Sequence, residues 1–143
     1  MANFLQTTPK PNFFIIGSMK SGTSYLYNLL ASHPAIFMCR LKEPSHFVEP
    51  NQLRKLWPWA WKQGYWKSQK RYLLLFQSAG MATILGEASS YYTYLPLASG
   101  VAERIRQFNP DARLIYVMRD PIERTISHYW HRVRHHREHR SLF

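Results

Sequence analysis

Asn12-Phe-Phe-Ile-Ile-Gly17-Ser18-Met19-Lys20-Ser21-Gly22-Thr23-Ser24 is the stretch that decides the fold. A short apolar strand over residues 12–16 runs into a turn bounded by two glycines. The turn runs into a helix, in which Tyr25, Leu26, Leu29 and Leu30 recur at helical spacing. A strand–turn–helix unit of this kind points several backbone N–H groups at one spot, at the positive end of a helix dipole. Its natural guest is an anion such as phosphate. Gly17 and Gly22 let the backbone turn tightly and come close to that guest. Lys20 adds a mobile charge, and Thr23 and Ser24 add hydroxyl donors. A plain connection with no ligand is the simpler alternative.

The two glycines have the spacing of the nucleotide-hydrolase P-loop, G-x-x-x-x-G-K-[ST]. The lysine does not: it stands at 20, inside the turn, and Thr23 occupies the expected lysine position. The strand over 114–118 is followed by Arg119 before Asp120, so no acid directly ends it to hold Mg²⁺. A P-loop kinase or NTPase is therefore the weaker of two nucleotide-binding readings.

Outward from the turn, His33-Pro34 stops the first helix, because proline cannot continue it. Residues 36–38 read as a second strand, and 40–50, with two prolines, as a loop. Residues 52–80 read as helix in two pieces, broken near Pro58 or Gly64. A third strand is expected over 83–86, and an amphipathic helix over 97–108 with Val101, Ile105 and Phe108 on one face. Residues 113–118, Arg-Leu-Ile-Tyr-Val-Met, read as the clearest buried strand in the chain, and Pro121 opens a last helix at a favoured position. Strands alternating with helices argue for an α/β fold with a mostly parallel sheet. Residues 1–11 read as an extended leader and 12–143 as the domain.

With 143 residues there is room for one domain. A hydrophobic content of 45% can bury a core, which excludes wholesale disorder. Cys39 is the only cysteine, so neither an internal disulfide nor a cysteine zinc cluster is expected. Apolar runs are too short to span a bilayer and no secretion-signal pattern opens the chain, so the expected location is cytoplasmic.

The net charge of +11 points to anionic partners. Part of it lies in residues 131–140, which read as a solvated helix end. Trp57, Trp59, Trp61 and Trp66 read as core, with a stacking platform for sugars or bases as the alternative. His128, His131, His135 and His139 share a helix face, but no carboxylate pattern joins them, so no metal site is expected.

The second signal is Met118-Arg119-Asp120-Pro121 followed by Ser127. Arg119 stands just past a strand, at the edge where open α/β sheets bind ligands. Ser127 follows two helical turns later, and an Arg fork with a hydroxyl can grip a second phosphate. Asp120 is placed to cap the helix.

Together these stretches are similar to the sulfotransferases that use 3′-phosphoadenylyl sulfate (PAPS). Lys20-Ser21-Gly22-Thr23-Ser24 resembles that family's 5′-phosphosulfate loop, and Arg119 with Ser127 resembles its 3′-phosphate motif. Between them, Lys42-Glu43-Pro44-Ser45-His46-Phe47 resembles the Lys-Glu-Pro-His-Phe segment of heparan-sulfate-type and bacterial members. Gly86-Glu87-Ala88-Ser89-Ser90-Tyr91-Tyr92 resembles a Gly-Glu-x-Ser/Thr-Pro-x-Tyr segment, with Ser90 where proline is usual. The four motifs stand in the family's order.

The resemblance implies a P-loop-like three-layer fold and sulfuryl transfer from PAPS to a hydroxyl or amine, leaving 3′-phosphoadenosine 5′-phosphate (PAP). It implies that Gly22, Thr23 and Ser24 hold the 5′-phosphate and that Lys20 stabilises the leaving oxygen. Glu43 is implied as general base, with His46 as the alternative base. Lys42 and Glu87 are implied to meet the acceptor, a carbohydrate by preference. No metal is implied, no membrane span is expected, and nucleic acid is not expected as partner. Family domains are normally longer, so the sheet is expected to be incomplete at its C-terminal side. An exposed apolar edge suited to self-association follows from that. The competing class is a basic polyanion-binding module without catalysis, for which binding would fall steeply with salt and ignore Lys20→Ala.

Overall fold

The computed structural model describes residues 9–142. Most of the expected leader lies outside the described residues, but Pro11 is fully buried and its carbonyl accepts from Asn109 Nδ2 at 3.1 Å.

Four strands form one parallel sheet: β1 (Phe13–Gly17), β2 (Ile36–Met38), β3 (Ile84–Ala88) and β4 (Arg113–Tyr116). Their order is β2-β3-β1-β4. The apolar run of β1 has no polar face because both of its faces are covered. Phe13 and Ile15 pack on one side against Leu26, Tyr27 and Leu30 of α1 (Thr23–Ala31). Phe14 packs on the other side with a larger cluster. That cluster takes Leu53 from α2 (Pro50–Leu56), Ala60 from α3 (Pro58–Gln63), Tyr72 from α4 (Gln69–Leu73), and Val101 and Ile105 from α5 (Val101–Phe108). Helices on both faces make three layers. Each fully buried side chain such as Phe14 or Ile15 contributes roughly 1.5–3 kcal/mol by leaving water. Gly86 of β3 is dictated by packing, since a Cβ there would run into the Phe13 ring and Met38 Sδ.

The region over 52–80 departs from expectation. It breaks at both candidate positions, at Trp57-Pro58 and at Gly64 (φ 75°), giving three short helices rather than two pieces. Trp57 is buried and Trp61 and Trp66 stack on each other against the core, so the group is mainly core; Trp59 is the most exposed of the four.

The strand over 113–118 is a larger correction. β4 is not buried: among the described residues it is an edge strand bonded only to β1, and Leu114 and Tyr116 are about half exposed. Hydropathy reads apolar content, not the number of neighbouring strands, and an apolar edge looks the same as an apolar centre in one sequence. After β4, α6 (Pro121–Arg134) buries none of its residues, and Ile122 and Trp130 are exposed. Asp120 caps α6 as expected, its Oδ1 accepting from the amides of Ile122 and Glu123, each at 3.0 Å. Among the described residues no helix is long and apolar enough to cross a membrane.

Candidate active site

Because all four strands are parallel, their C-terminal ends share one rim, the position where sheets of this kind bind ligands. The four segments leaving that rim meet around a cavity of about 370 Å³.

From β1 comes the glycine turn. Gly22 sits at φ 95° as the N-cap of α1 and offers no side-chain cap, so among the described residues no capping side chain covers the first-turn amides. Lys20 is also left-handed, at φ 68°. Ser21 does not line the cavity; its hydroxyl meets that of Ser18 at 2.7 Å and braces the turn from within. Gly22, Thr23, Ser24 and Lys20 all line the cavity.

From β2 come Lys42 and Glu43. Lys42 Nζ donates to Ser24 Oγ at 2.6 Å, tying this loop to the start of α1. Burial lowers the Lys42 pKa, and the neighbouring Glu43 charge opposes the shift. Glu43 lies at φ 59°, and its amide donates to Ala88 O at 2.8 Å.

From β3 comes Ser90, whose amide donates to Glu43 Oε2 at 2.8 Å and whose hydroxyl donates to Oε1 at 2.9 Å. Burial raises the Glu43 pKa above the usual carboxylate range, against the pull of the Ser90 hydrogen bonds and the Lys42 charge.

From β4 come Arg119 and Ser127. Arg119 pairs with Glu123 at 3.1 Å and reaches the Lys20 carbonyl at 3.5 Å. The turn after β1 and the guanidinium after β4 therefore face one cavity rather than opposite sides of the molecule.

Besides Ser21, two residues singled out in the sequence stand elsewhere. His46 is stacked on Tyr72 at 4.1 Å with its Nδ1 2.7 Å from the Tyr65 carbonyl, and burial lowers its pKa; it does not line the cavity. Glu87 is fully buried beneath the rim, bonded by Tyr72 and by Ser89 at 2.6 Å, and burial pushes its pKa up to about 7.

Conversely, Met19, Ser90, Tyr91 and His131 line the cavity without having been assigned to it. The sequence signal for Ser90 was its place in the Gly86–Tyr92 segment, where proline is usual. A proline could make neither of the two bonds to Glu43. Tyr91 and His131 carried no signal that separates a lining side chain from a packed one. Among the described residues no group of three or more His, Cys, Asp or Glu could hold a metal ion.

Comparison with known proteins bears on this geometry. Residues 11–142 match the profile of the sulfotransferase family. The chain is 34% identical over 119 residues to the membrane-associated sulfotransferase kil1 of Dictyostelium discoideum, covering 83% of this chain and 22% of that protein. It is 29% identical to human carbohydrate sulfotransferase 15, covering 83% of this chain and 27% of the relative. It is also 29% identical to the mouse bifunctional heparan sulfate N-deacetylase/N-sulfotransferase 4, covering 87% of this chain and 13% of the relative. The chain thus spans less than a third of the length of these relatives. Among solved structures, a sulfotransferase from Alicyclobacillus acidocaldarius superimposes with a TM-score of 0.77 at 32% identity, over 93% of this chain and 54% of that one. Family profile, relatives and superposition agree with a cavity built from the turn after β1 and the guanidinium after β4: the chain belongs to the sulfotransferase family.

Proposed function

We propose that the cavity binds PAPS and that the chain carries the donor-side machinery for moving its sulfuryl group to a hydroxyl or amine. The observation that carries this reading is the convergence of two anion-gripping elements, Gly22–Ser24 with Lys20 and Arg119 with Ser127, on one cavity. Its volume of about 370 Å³ falls within the range of small-molecule sites. Lys20, Lys42 and Arg119 line it against a single carboxylate, that of Glu43, as a donor with two negative ends requires.

In this reading the first-turn amides of α1 hold the 5′-phosphate, and Arg119 and Ser127 hold the 3′-phosphate. The acceptor oxygen or nitrogen forms a bond to sulfur while the bond from sulfur to the phosphate oxygen breaks. The electron pair leaves on that oxygen, where Lys20 opposes the growing charge. The acceptor proton goes to Glu43. Burial keeps the Glu43 carboxyl easier to protonate than an ordinary glutamate, which suits a base that must accept a proton near neutral pH. Lys42, tied to Ser24, borders both the donor turn and the base. Carbohydrate is the acceptor class proposed, since relatives named for carbohydrate and heparan sulfate share the matched region. A cytoplasmic location is part of the same reading, to be checked by cell fractionation because one relative is named as membrane-associated.

The test is a calorimetric titration with PAP and, separately, with ATP–Mg²⁺. Preference for PAP, lost in both Lys20→Ala and Arg119→Ala, is the expected result. Equal or tighter binding of ATP–Mg²⁺ would overturn it.

A further inference from the structure

Among the described residues, Glu87 is a fully buried carboxyl that the proposed chemistry leaves without a task. It sits in β3, opposite Phe14 of β1, with no exposed surface. A carboxyl in the middle of a sheet is costly to keep unless its partners use it. Those partners lead to the cavity. Tyr72 donates to Glu87 Oε2, and Ser89 Oγ donates to Oε1 at 2.6 Å. The same Ser89 Oγ accepts the backbone amide of Ser45 at 3.2 Å. Ser45 Oγ in turn donates to the carbonyl of Glu43 at 3.1 Å.

The segment held in this way is strained. Glu43 and Ser45 both have left-handed backbones, at φ 59° and 55°, although neither is glycine. Such conformations persist where the surroundings over-determine them. Here three grips do so: the Glu43 amide on Ala88, the Ser45 amide on Ser89, and the Glu43 carboxylate on Ser90. Ser89 is oriented by Glu87, because a hydroxyl that gives its proton to a carboxylate turns its lone pairs toward the Ser45 amide.

We propose that Glu87 is a positioning residue: by orienting Ser89 it clamps the Glu43–Ser45 turn and so aims the Glu43 carboxylate into the cavity. This rests on the reading of Glu43 as the base. It also changes the task of Glu87 from meeting the acceptor to holding the residue that does. Glutamine at 87 keeps the volume but turns an acceptor into a donor on one side. If the amide nitrogen faces Ser89, the serine proton has to point elsewhere and the Ser45 grip weakens. Alanine at 89 removes the link and leaves the carboxyl at 87 in place, which separates the loss of the link from the loss of the residue behind it.

The experiment is amide hydrogen exchange on the full chain for wild type, Glu87→Gln, Ser89→Ala and Tyr72→Phe, read at the Ser90 amide that donates to Glu43. The expected result is exchange at least ten-fold faster at Ser90 in Glu87→Gln and Ser89→Ala, with the amides of β1 unchanged. The Glu43 carboxyl, followed by ¹³C NMR against pH, should titrate at a higher pH than in wild type as the Ser90 bonds that favour its charged form loosen. Tyr72→Phe, which deletes one donor to Glu87, should give a smaller change of the same sign, and any variant that folds carries the test. Ser90 protection and Glu43 titration both within two-fold of wild type in the folded variants would overturn the proposal. PAP affinity is measured alongside and should stay within three-fold of wild type. Failure of wild type to bind PAP would count against the donor site, whereas the exchange result speaks to the clamp alone.

Discussion

Ser90 holds Glu43 by both carboxylate oxygens, one through its amide at 2.8 Å and the other through its hydroxyl at 2.9 Å. These bonds favour the charged form of a carboxyl that burial otherwise pushes toward protonation. The pairing sets both the direction and the proton affinity of the proposed base.

Ser90→Ala removes the hydroxyl bond and keeps the amide bond. A hydrogen bond to a charged group is worth about 1.5–3 kcal/mol, so losing it should raise the Glu43 pKa further. The acidic limb of the pH–rate profile should move up by the same amount, read as PAPS conversion to PAP. Ser90→Pro deletes both bonds and should move it further. An unmoved limb in both variants removes Glu43 from the proton-transfer step.

Gly22→Ala and Gly80→Ala make a matched pair. Both glycines have left-handed backbones, at φ 95° and 57°, and an added Cβ meets nothing within 4 Å at either. Each substitution should cost about 1–2 kcal/mol of stability in urea denaturation, from backbone strain alone. Only Gly22→Ala should weaken PAP, because relief of strain there swings the Thr23 and Ser24 amides. Equal PAP affinity in the two variants would mean that the turn is not the phosphate cradle.

Stability should fall with rising pH across the range set by Glu87. Its pKa is about 7 in the folded chain, above the ordinary value of 4.5, so the folded state binds more protons than the unfolded state between those values. The neutral carboxyl therefore favours the fold fully below pH 4.5, and that advantage is lost as pH rises through 7. The loss is roughly 3 kcal/mol for this fully buried group. Urea midpoints measured from pH 4.5 to 8 should decline in wild type and stay flatter in Glu87→Gln. A flat wild-type curve would mean that the Glu87 pKa is not raised.

The edge of the sheet makes the fourth prediction. β4 presents unpaired backbone beside half-exposed Leu114 and Tyr116, and α6 adds exposed Ile122 and Trp130. Such an edge recruits other chains. Sedimentation velocity should show concentration-dependent association, reduced by Leu114→Lys. A single monomeric species for wild type at all concentrations would refute it.

Much of the candidate site was legible because its signals are local. The glycine turn, the Arg119–Ser127 spacing and the Asp120 cap each depend on residues within ten positions of one another. The structure places their products on one rim because the strands are parallel. What could not be read depends on distant neighbours. That β4 lies at an edge is fixed by which strand pairs with β1, and His46 and Glu87 both lie against Tyr72 of α4, away from the cavity. The motif carrying Glu43 was visible, but its partner Ser90 lies 47 positions away and looked like a lapse from the usual proline.

That serine turns an apparent sequence defect into a dial. A chain with an imino acid at this position has no amide proton to offer a carboxylate placed like that of Glu43. Exchanging the two residue types at position 90 would retune the proton affinity of the proposed base, giving an engineer a one-codon handle on the pH at which that carboxylate titrates.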